Sequence, residues 1–347
     1  MKPLRVLNVM VSHGVGGTQF AFVRYGQLFA RLGYDLNWCV TRDAATNAYL
    51  PADAKAEILA RSVQFSPLGL WRAAQVINRV KPDVIVTHGR RAFTTFAMAR
   101  RFAGHKPALA VVLHRHVFKG LNAADAVICV SADIAEAAPR HGIAPEKVVY
   151  IPNFIATDIR PDEPPAHTPA VIGYLGRMVP EKGLDLLLDA LKQVAARGVA
   201  FKVDIAGHGP QQLMLQQKAV AHGIADRITW RGWIDDTQPF FSDIDLLVVP
   251  SRSESFGLIT VEAFAAGRPV LATRTSGSSG LIDSGKNGLL CDIAPEAIAE
   301  GIVTMLENPE LRATFVRQAK IDVRHYTPEA VAPQVDACLR ALLSGRA

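Results

Sequence analysis

The chain has 347 residues, 49% of them hydrophobic and 20% charged, with 26 Gly and 21 Pro. That profile excludes a disordered or fibrous protein, and the length suffices for two hydrophobic cores without disulfide or metal staples. The net charge of +6 is unevenly placed: residues 1–150 hold 19 Lys/Arg against 9 Asp/Glu and residues 151–347 hold 19 against 23, so only the first half is basic.

Short runs rich in Val and Ile alternate with amphipathic stretches. In the first half the runs are Leu4–Val11, Leu36–Thr41, Asp83–Thr87, Ala108–Leu113, Ala126–Val130 and Val148–Ile151. Their hydrophobicity is continuous, as strands buried on both faces require. After the first run, Ala21, Tyr25, Leu28, Phe29 and Leu32 share one helical stripe. Four prolines then fall within residues 161–169 without any apolar period, which predicts a linker there. The second half resumes the rhythm with Ala170–Leu175, Phe201–Ala206, Arg227–Trp230, Ile244–Val249, Pro269–Thr273 and Gly288–Cys291. Its first helical stripe is Leu184, Leu187, Leu188, Leu191, Val194 and Ala195, and a final one is Val331, Val335, Leu339 and Leu342. Strand–helix alternation predicts an α/β chain of two doubly wound, parallel-sheet, Rossmann-like domains with six strands each. The expected bounds are 1–160 and 170–327, with 328–347 as a helix returning to the first domain. The domains are expected to face each other across a cleft, with ligands at the carboxyl ends of the strands.

The four cysteines show no C-x-x-C pair and no metal-ligand spacing, so four buried free thiols in a reducing compartment are expected. The amino terminus lacks the pattern of a secretory signal, and no run of 18 apolar residues occurs. A cytoplasmic protein is expected.

The chemistry-bearing residues gather at strand ends. Residues 12–18, Ser-His-Gly-Val-Gly-Gly-Thr, follow the first strand, and Gly16 and Gly17 there would let backbone amides approach an anion at a helix N-terminus. The dinucleotide fingerprint is incomplete, since a third glycine and a following acidic residue are missing, which disfavours a nicotinamide dehydrogenase. His13, His88 and His114 each stand at or near a strand end; a neutral imidazole donating to a sugar hydroxyl suits this placement better than a zinc site. In the second half, Arg177 and Lys182 lie between a strand and a helix, a pairing suited to a diphosphate. Glu254 falls in a loop after a strand and Glu262 eight residues on, inside a helix beginning near Gly257. A fully helical path would separate these carboxylates by about 12 Å, too far for the paired acids of a glycosidase. They suit separate hydroxyl clusters of one elongated ligand, with the amides of Phe256, Gly257 and Leu258 between them directed at an anion.

The motifs occur in a telling order: Gly-Gly at 16–17, Gly-Arg-x-x-x-Glu-Lys-Gly at 176–183, Gly-x-Gly-Pro at 207–210, Glu-x7-Glu at 254–262, Ala-Gly-Arg-Pro-Val at 266–270 and Asn-Gly-Leu-Leu at 287–290. Together they resemble the GT-B retaining glycosyltransferases of the family-4 type over nearly the whole chain. The resemblance implies that Arg177 and Lys182 hold the donor diphosphate and Glu262 the ribose hydroxyls. Glu254, with the backbone of Phe256, Gly257 and Leu258, would hold the transferred sugar. It also implies that His114 lies near the reacting centre, that Gly16 and Gly17 approach the diphosphate and acceptor, and that residues 231–234 lie against the base. The implied donor is a UDP-, GDP- or ADP-linked sugar and the implied reaction a hexosyl-type transfer without metal or other cofactor. The implied acceptor is a glycan or lipid-linked molecule of bacterial envelope polysaccharide or lipopolysaccharide synthesis. Gln19, Phe154, His208 and the 276–282 segment depart from the usual family pattern, and these departures bear on sugar identity.

In this family the basic half is the acceptor side. Arg90, Arg91, Arg100 and Arg101 interleave there with Phe93, Phe96 and Phe102, a mixture suited to an anionic membrane surface at the inner face of the cytoplasmic membrane. No nucleic-acid recognition motif accompanies the charge, so nucleic acid is not an expected partner. The rival readings are a GT-B-like sugar-nucleotide epimerase, which needs no acceptor, and a non-catalytic sugar-nucleotide-binding module.

Overall fold

A computed structural model of the chain describes residues 3–12, 16–59, 66–156, 158–160 and 167–344. The chain divides into two compact units, Met1–Ala156 with Thr327–Ala347, and Thr157–Tyr326.

The first unit runs β1 (Arg5–Met10), α1 (Gly17–Arg31), β2 (Asp35–Thr41), β3 (Ala56–Leu59), α2 (Pro67–Val80), β4 (Val84–His88), α3 (Gly89–Phe102), β5 (Ala108–Leu113), β6 (Ala126–Cys129), α4 (Ala132–Arg140) and β7 (Val148–Tyr150). Its strands form one parallel sheet in the order β3-β2-β1-β4-β5-β6-β7. Every residue of β4, β5 and β6 is buried, which is why these strands read as unbroken apolar runs. The sheet has seven strands rather than the six expected. The additional one, β3, pairs only with β2 and leaves Ala56 and Ile58 exposed, so an edge position gives it no continuous apolar run to detect.

The second unit runs β8 (Ala170–Leu175), α5 (Leu184–Ala196), β9 (Phe201–Ala206), α6 (Gln212–Ala221), β10 (Ile228–Gly232), α7 (Gln238–Asp243), β11 (Leu246–Val249), α8 (Leu258–Ala265), β12 (Val270–Thr273), α9 (Ser276–Leu281), β13 (Leu289–Cys291), α10 (Pro295–Glu307) and α11 (Pro309–Asp322). Its six strands are parallel in the order β10-β9-β8-β11-β12-β13. The predicted stripe of α5 is its buried face: Leu184, Leu187, Leu188, Leu191 and Val194 join Ile172, Val203, Ile205 and Leu246 in one core. Each such side chain contributes about 1.5–3 kcal/mol of apolar burial. Of the proline-rich stretch, residues 161–166 lie outside the described residues. Its flanks are bonded into this unit: the Arg160 amide donates to Ala265 O at 2.9 Å, and the His167 amide to Asp245 Oδ1 at 3.0 Å.

The last helix, α12 (Pro328–Ser344), belongs to the first unit. Val331, Val335 and Leu339 are fully buried, and the Tyr34 hydroxyl donates to Asp336 at 2.6 Å. All four cysteines are free, but only Cys39 and Cys129 are buried; Cys291 and Cys338 are half-buried, because one sits in an edge strand and the other on a surface helix. Among the described residues no helix is long and apolar enough to cross a membrane.

Candidate functional site

At the carboxyl edge of the second sheet, the loops after β8, β9, β11 and β12 are tied together through their backbones. The Met178 amide donates to His208 O at 3.0 Å, the Arg252 amide to Glu181 O at 2.9 Å, and the Gly277 amide to Glu254 O at 2.8 Å. Two glycines make this closeness possible. Gly207 has φ +128°, and a Cβ there would sit 1.9 Å from Gly176 O. Gly183 has φ +66°, and its Cβ would sit 1.9 Å from Pro250 O. Only a residue without a Cβ allows both the left-handed backbone and the contact.

Of the residues predicted for this edge, Lys182 and Glu254 meet directly, and the others lie in the same loops or in α8. Lys182 and Glu254, 72 positions apart, form an ion pair, with side chains 24% and 16% exposed. Arg177 is exposed one loop position past the turn from β8, its carbonyl held by the Tyr174 hydroxyl at 3.0 Å. Gly257, at φ +92°, opens α8 with no side-chain cap; the Thr260 amide turns back onto Gly257 O at 2.9 Å, and Ser255 does not cap the amides of Leu258 and Ile259. Phe256 is buried edge-to-face against Tyr326, with ring centroids 5.8 Å apart. Glu262 lies at the fifth position of α8, 9% exposed, an unusual burial for a carboxylate on a helix. The arrangement offers cations and uncapped helix amides to an anion, and carboxylates to hydroxyls on either side.

Arg252 escaped sequence reasoning. Its guanidinium grips Asp185 bidentately at 2.7 and 2.6 Å and also donates to Pro180 O at 2.8 Å, clamping the Glu254 loop to the Lys182 loop. The Arg252 hydrogen bonds hold the Asp185 carboxyl below its ordinary range. No spacing signal links positions 185 and 252. In the 231–234 segment, Arg231 is paired with Asp204 and, at 2.9 Å, with Asp243, which locks it into the sheet, whereas Trp233 is 44% exposed.

The first unit gathers its own predicted residues at the carboxyl edge of its sheet. Gly16 is the N-cap of α1, and Gly17 opens it without a side-chain cap. Gln19, one of the family departures, donates to the Ser12 hydroxyl at 2.6 Å. His13 lies outside the described residues. His114 is half-buried directly after β5 and is not a lone imidazole: its ring lies edge to edge with that of His88, the planes 18° apart and the centroids 5.6 Å apart, with His114 Nε2 3.4 Å from His88 Nδ1. Burial, aided by Arg115, pushes the His114 imidazole down to about 3. Burial also holds His88 well below the usual histidine range. Among the described residues no three His, Cys, Asp or Glu side chains are grouped so as to hold a metal ion.

The basic face differs from expectation. Phe93 and Phe96 are fully buried, because they form the inner stripe of α3, and Arg100 is bonded to Asp125 at 2.6 Å. Exposed on the same helix are Arg90, Arg91, Met98, Arg101 and Phe102, the last at 74%, while the neighbouring α2 exposes Leu68 and Trp71.

Two family profiles match consecutive parts of the chain: Glycosyltransferase Family 4 over residues 15–159, and Glycosyl transferases group 1 over residues 156–322. Among curated proteins, the chain is 31% identical over 228 residues to the lipopolysaccharide core biosynthesis glycosyltransferase LpsE of Rhizobium meliloti, a match covering 63% of this chain and 64% of that one. It is 28% identical over 254 residues to LpsD of the same organism, covering 70% of each. The match to LpsE thus spans less than two thirds of that relative's length. Among solved structures, Anabaena HepE in complex with UDP and glucose superposes with a TM-score of 0.84 at 22% identity, over 97% of this chain and 99% of that one. That likeness is one of fold.

Proposed function

The chain belongs to the GT-B glycosyltransferases of the family-4 type, and from that membership we propose that it transfers a hexose-type sugar from a nucleoside diphosphate donor, with retention, to a glycan or lipid-linked acceptor of envelope synthesis. The observation that carries this reading is the meeting of Lys182, Glu254 and the uncapped start of α8 on one backbone-tied shelf. The lipopolysaccharide core relatives support the acceptor class. The complex of HepE with UDP and glucose supports the donor class, with GDP- and ADP-sugars as the other members of the test.

In the proposed reaction the bond between the anomeric carbon and the diphosphate oxygen breaks through an oxocarbenium-like state. The departing diphosphate takes the proton of the attacking acceptor hydroxyl, which adds on the same face of the sugar. Arg177, Lys182 and the amides at the start of α8 stabilise the charge that develops on the leaving group, preorganised in place of a metal. Glu262 takes the ribose hydroxyls and Glu254 the sugar hydroxyls. Lys182 is held by Glu254 before the donor arrives, so the diphosphate draws the lysine from a standing partner rather than from bulk water. From the first unit, His114, Gly16 and Gly17 are assigned to the sugar and diphosphate.

A panel of UDP-, GDP- and ADP-sugars tests the donor assignment. One donor is expected to raise Tm and to release its nucleotide slowly without acceptor; no stabilisation by any of them sinks the reading. Release of a changed sugar nucleotide instead would favour the epimerase.

The membrane contact is proposed on a corrected patch, with Phe102, Met98, Trp71 and Leu68 as the apolar groups and Arg90, Arg91 and Arg101 as the cations. The chain is expected to sediment with anionic vesicles and not with neutral ones, and Phe102→Ser to weaken the binding. Equal binding to both vesicle types counts against it.

A further inference from the structure

A chain of side-chain hydrogen bonds runs through the interior of the first unit to His114. Asn8, in the middle of β1, is fully buried, and its amide nitrogen donates to Phe22 O of α1 at 3.0 Å. That bond fixes which end of the amide faces His88: the oxygen lies 3.0 Å from His88 Nε2. An amide oxygen can only accept, so His88 Nε2 carries a hydrogen. A neutral imidazole has one N–H, so His88 Nδ1 is bare and can only accept. Its neighbour at 3.4 Å is His114 Nε2, which must therefore be the donor. Burial keeps both rings neutral, so the polarity of the chain is set from Asn8 outward. Among the described residues, His114 Nδ1 has no hydrogen-bond partner.

We propose that Asn8 and His88 are positioning residues that hold His114 in its Nε2–H tautomer, so that Nδ1 serves as a hydrogen-bond acceptor for a hydroxyl of the transferred sugar. This rests on the sugar-transfer reading and corrects the expectation of a donating imidazole. The strand order makes the chain possible: β1, β4 and β5 are neighbours, which brings positions 8, 88 and 114 side by side.

The test is nitrogen NMR of the full chain labelled with 15N-histidine at pH 7, in wild type, His88→Asn and His88→Leu, together with steady-state turnover of the donor identified by the panel. Wild type is expected to show His114 as Nε2–H. The Asn side chain can place an amide oxygen near the position of His88 Nδ1, so His88→Asn is expected to keep that tautomer and most of kcat. His88→Leu removes the acceptor and is expected to mix the tautomers and lower kcat by about tenfold, the size of one neutral hydrogen bond, with KM within about twofold. A wild-type His114 found as Nδ1–H or as a tautomer mixture overturns the proposal whether or not the Leu variant folds. So does a folded His88→Leu chain with unchanged tautomer and kcat. A wild type that shows the expected tautomer but turns over no donor overturns sugar transfer and the role of Nδ1 with it, while the proton arrangement itself stands.

Discussion

Lys182→Ala is expected to lower kcat by about 10²–10³-fold, the loss measured when one preorganised donor to a developing anion is removed. The argument rests on position rather than charge count. The chain carries 38 Lys and Arg, but Lys182 is the cation paired with Glu254 on the shelf formed by four strand-end loops. Its partner is only 16% exposed, so the variant leaves a largely buried carboxylate without its cation, which on the proposed assignment would oppose the diphosphate. Lys182→Arg keeps the charge but replaces a compact ammonium with a planar fork, and should recover only part of the loss. Steady-state nucleotide release, with kcat and KM separated, makes the measurement. Turnover of Lys182→Ala within about tenfold of wild type would remove Lys182 from the charge-stabilising role, since tenfold corresponds to only ~1.4 kcal/mol of barrier.

Gly207→Ala is expected to be the most damaging single methyl addition at this edge, costing about 3 kcal/mol or more. Two effects combine. At φ +128° an L side chain is strained, and the new Cβ would stand 1.9 Å from Gly176 O, a backbone atom that cannot rotate away. Gly198→Ala is the control: its φ is +79°, but nothing lies within 4 Å of the place its methyl would take, so it should cost only about 1–2 kcal/mol. Urea unfolding of both variants separates strain from collision. Equal losses in the two would mean that the 207–210 loop gives way freely and does not brace the Arg177 turn.

These expectations depend on features of very different visibility. The order of strands and helices could be read locally: α5 buries the residues its 3.6-residue period selects, and β5 is apolar because both its faces are covered. The edge strand β3 could not, because a strand with one wet face and one neighbour needs no apolar run. The Glu-x7-Glu spacing identified the start of α8, since a loop acid, a glycine and a helical acid follow one another in sequence. What Glu254 touches was hidden, because its partner stands 72 positions earlier. The aromatic residues of α3 were visible as a composition, yet two of the three turned inward once the sheet claimed one face of the helix.

The amino-acid order alone thus specifies two α/β units, the strand-end loops that hold the motifs and the family they belong to, because periodicity, glycines and motif spacings act over a few residues. The pairing of Lys182 with Glu254, the clamp of Arg252 on Asp185 and the Asn8–His88–His114 chain come from parallel strands that bring distant loops to one edge. Partners separated by 26 to 80 positions leave no local pattern; their contacts, and with them the hydrogen-bonding role of His114, exist only after the sheets have closed.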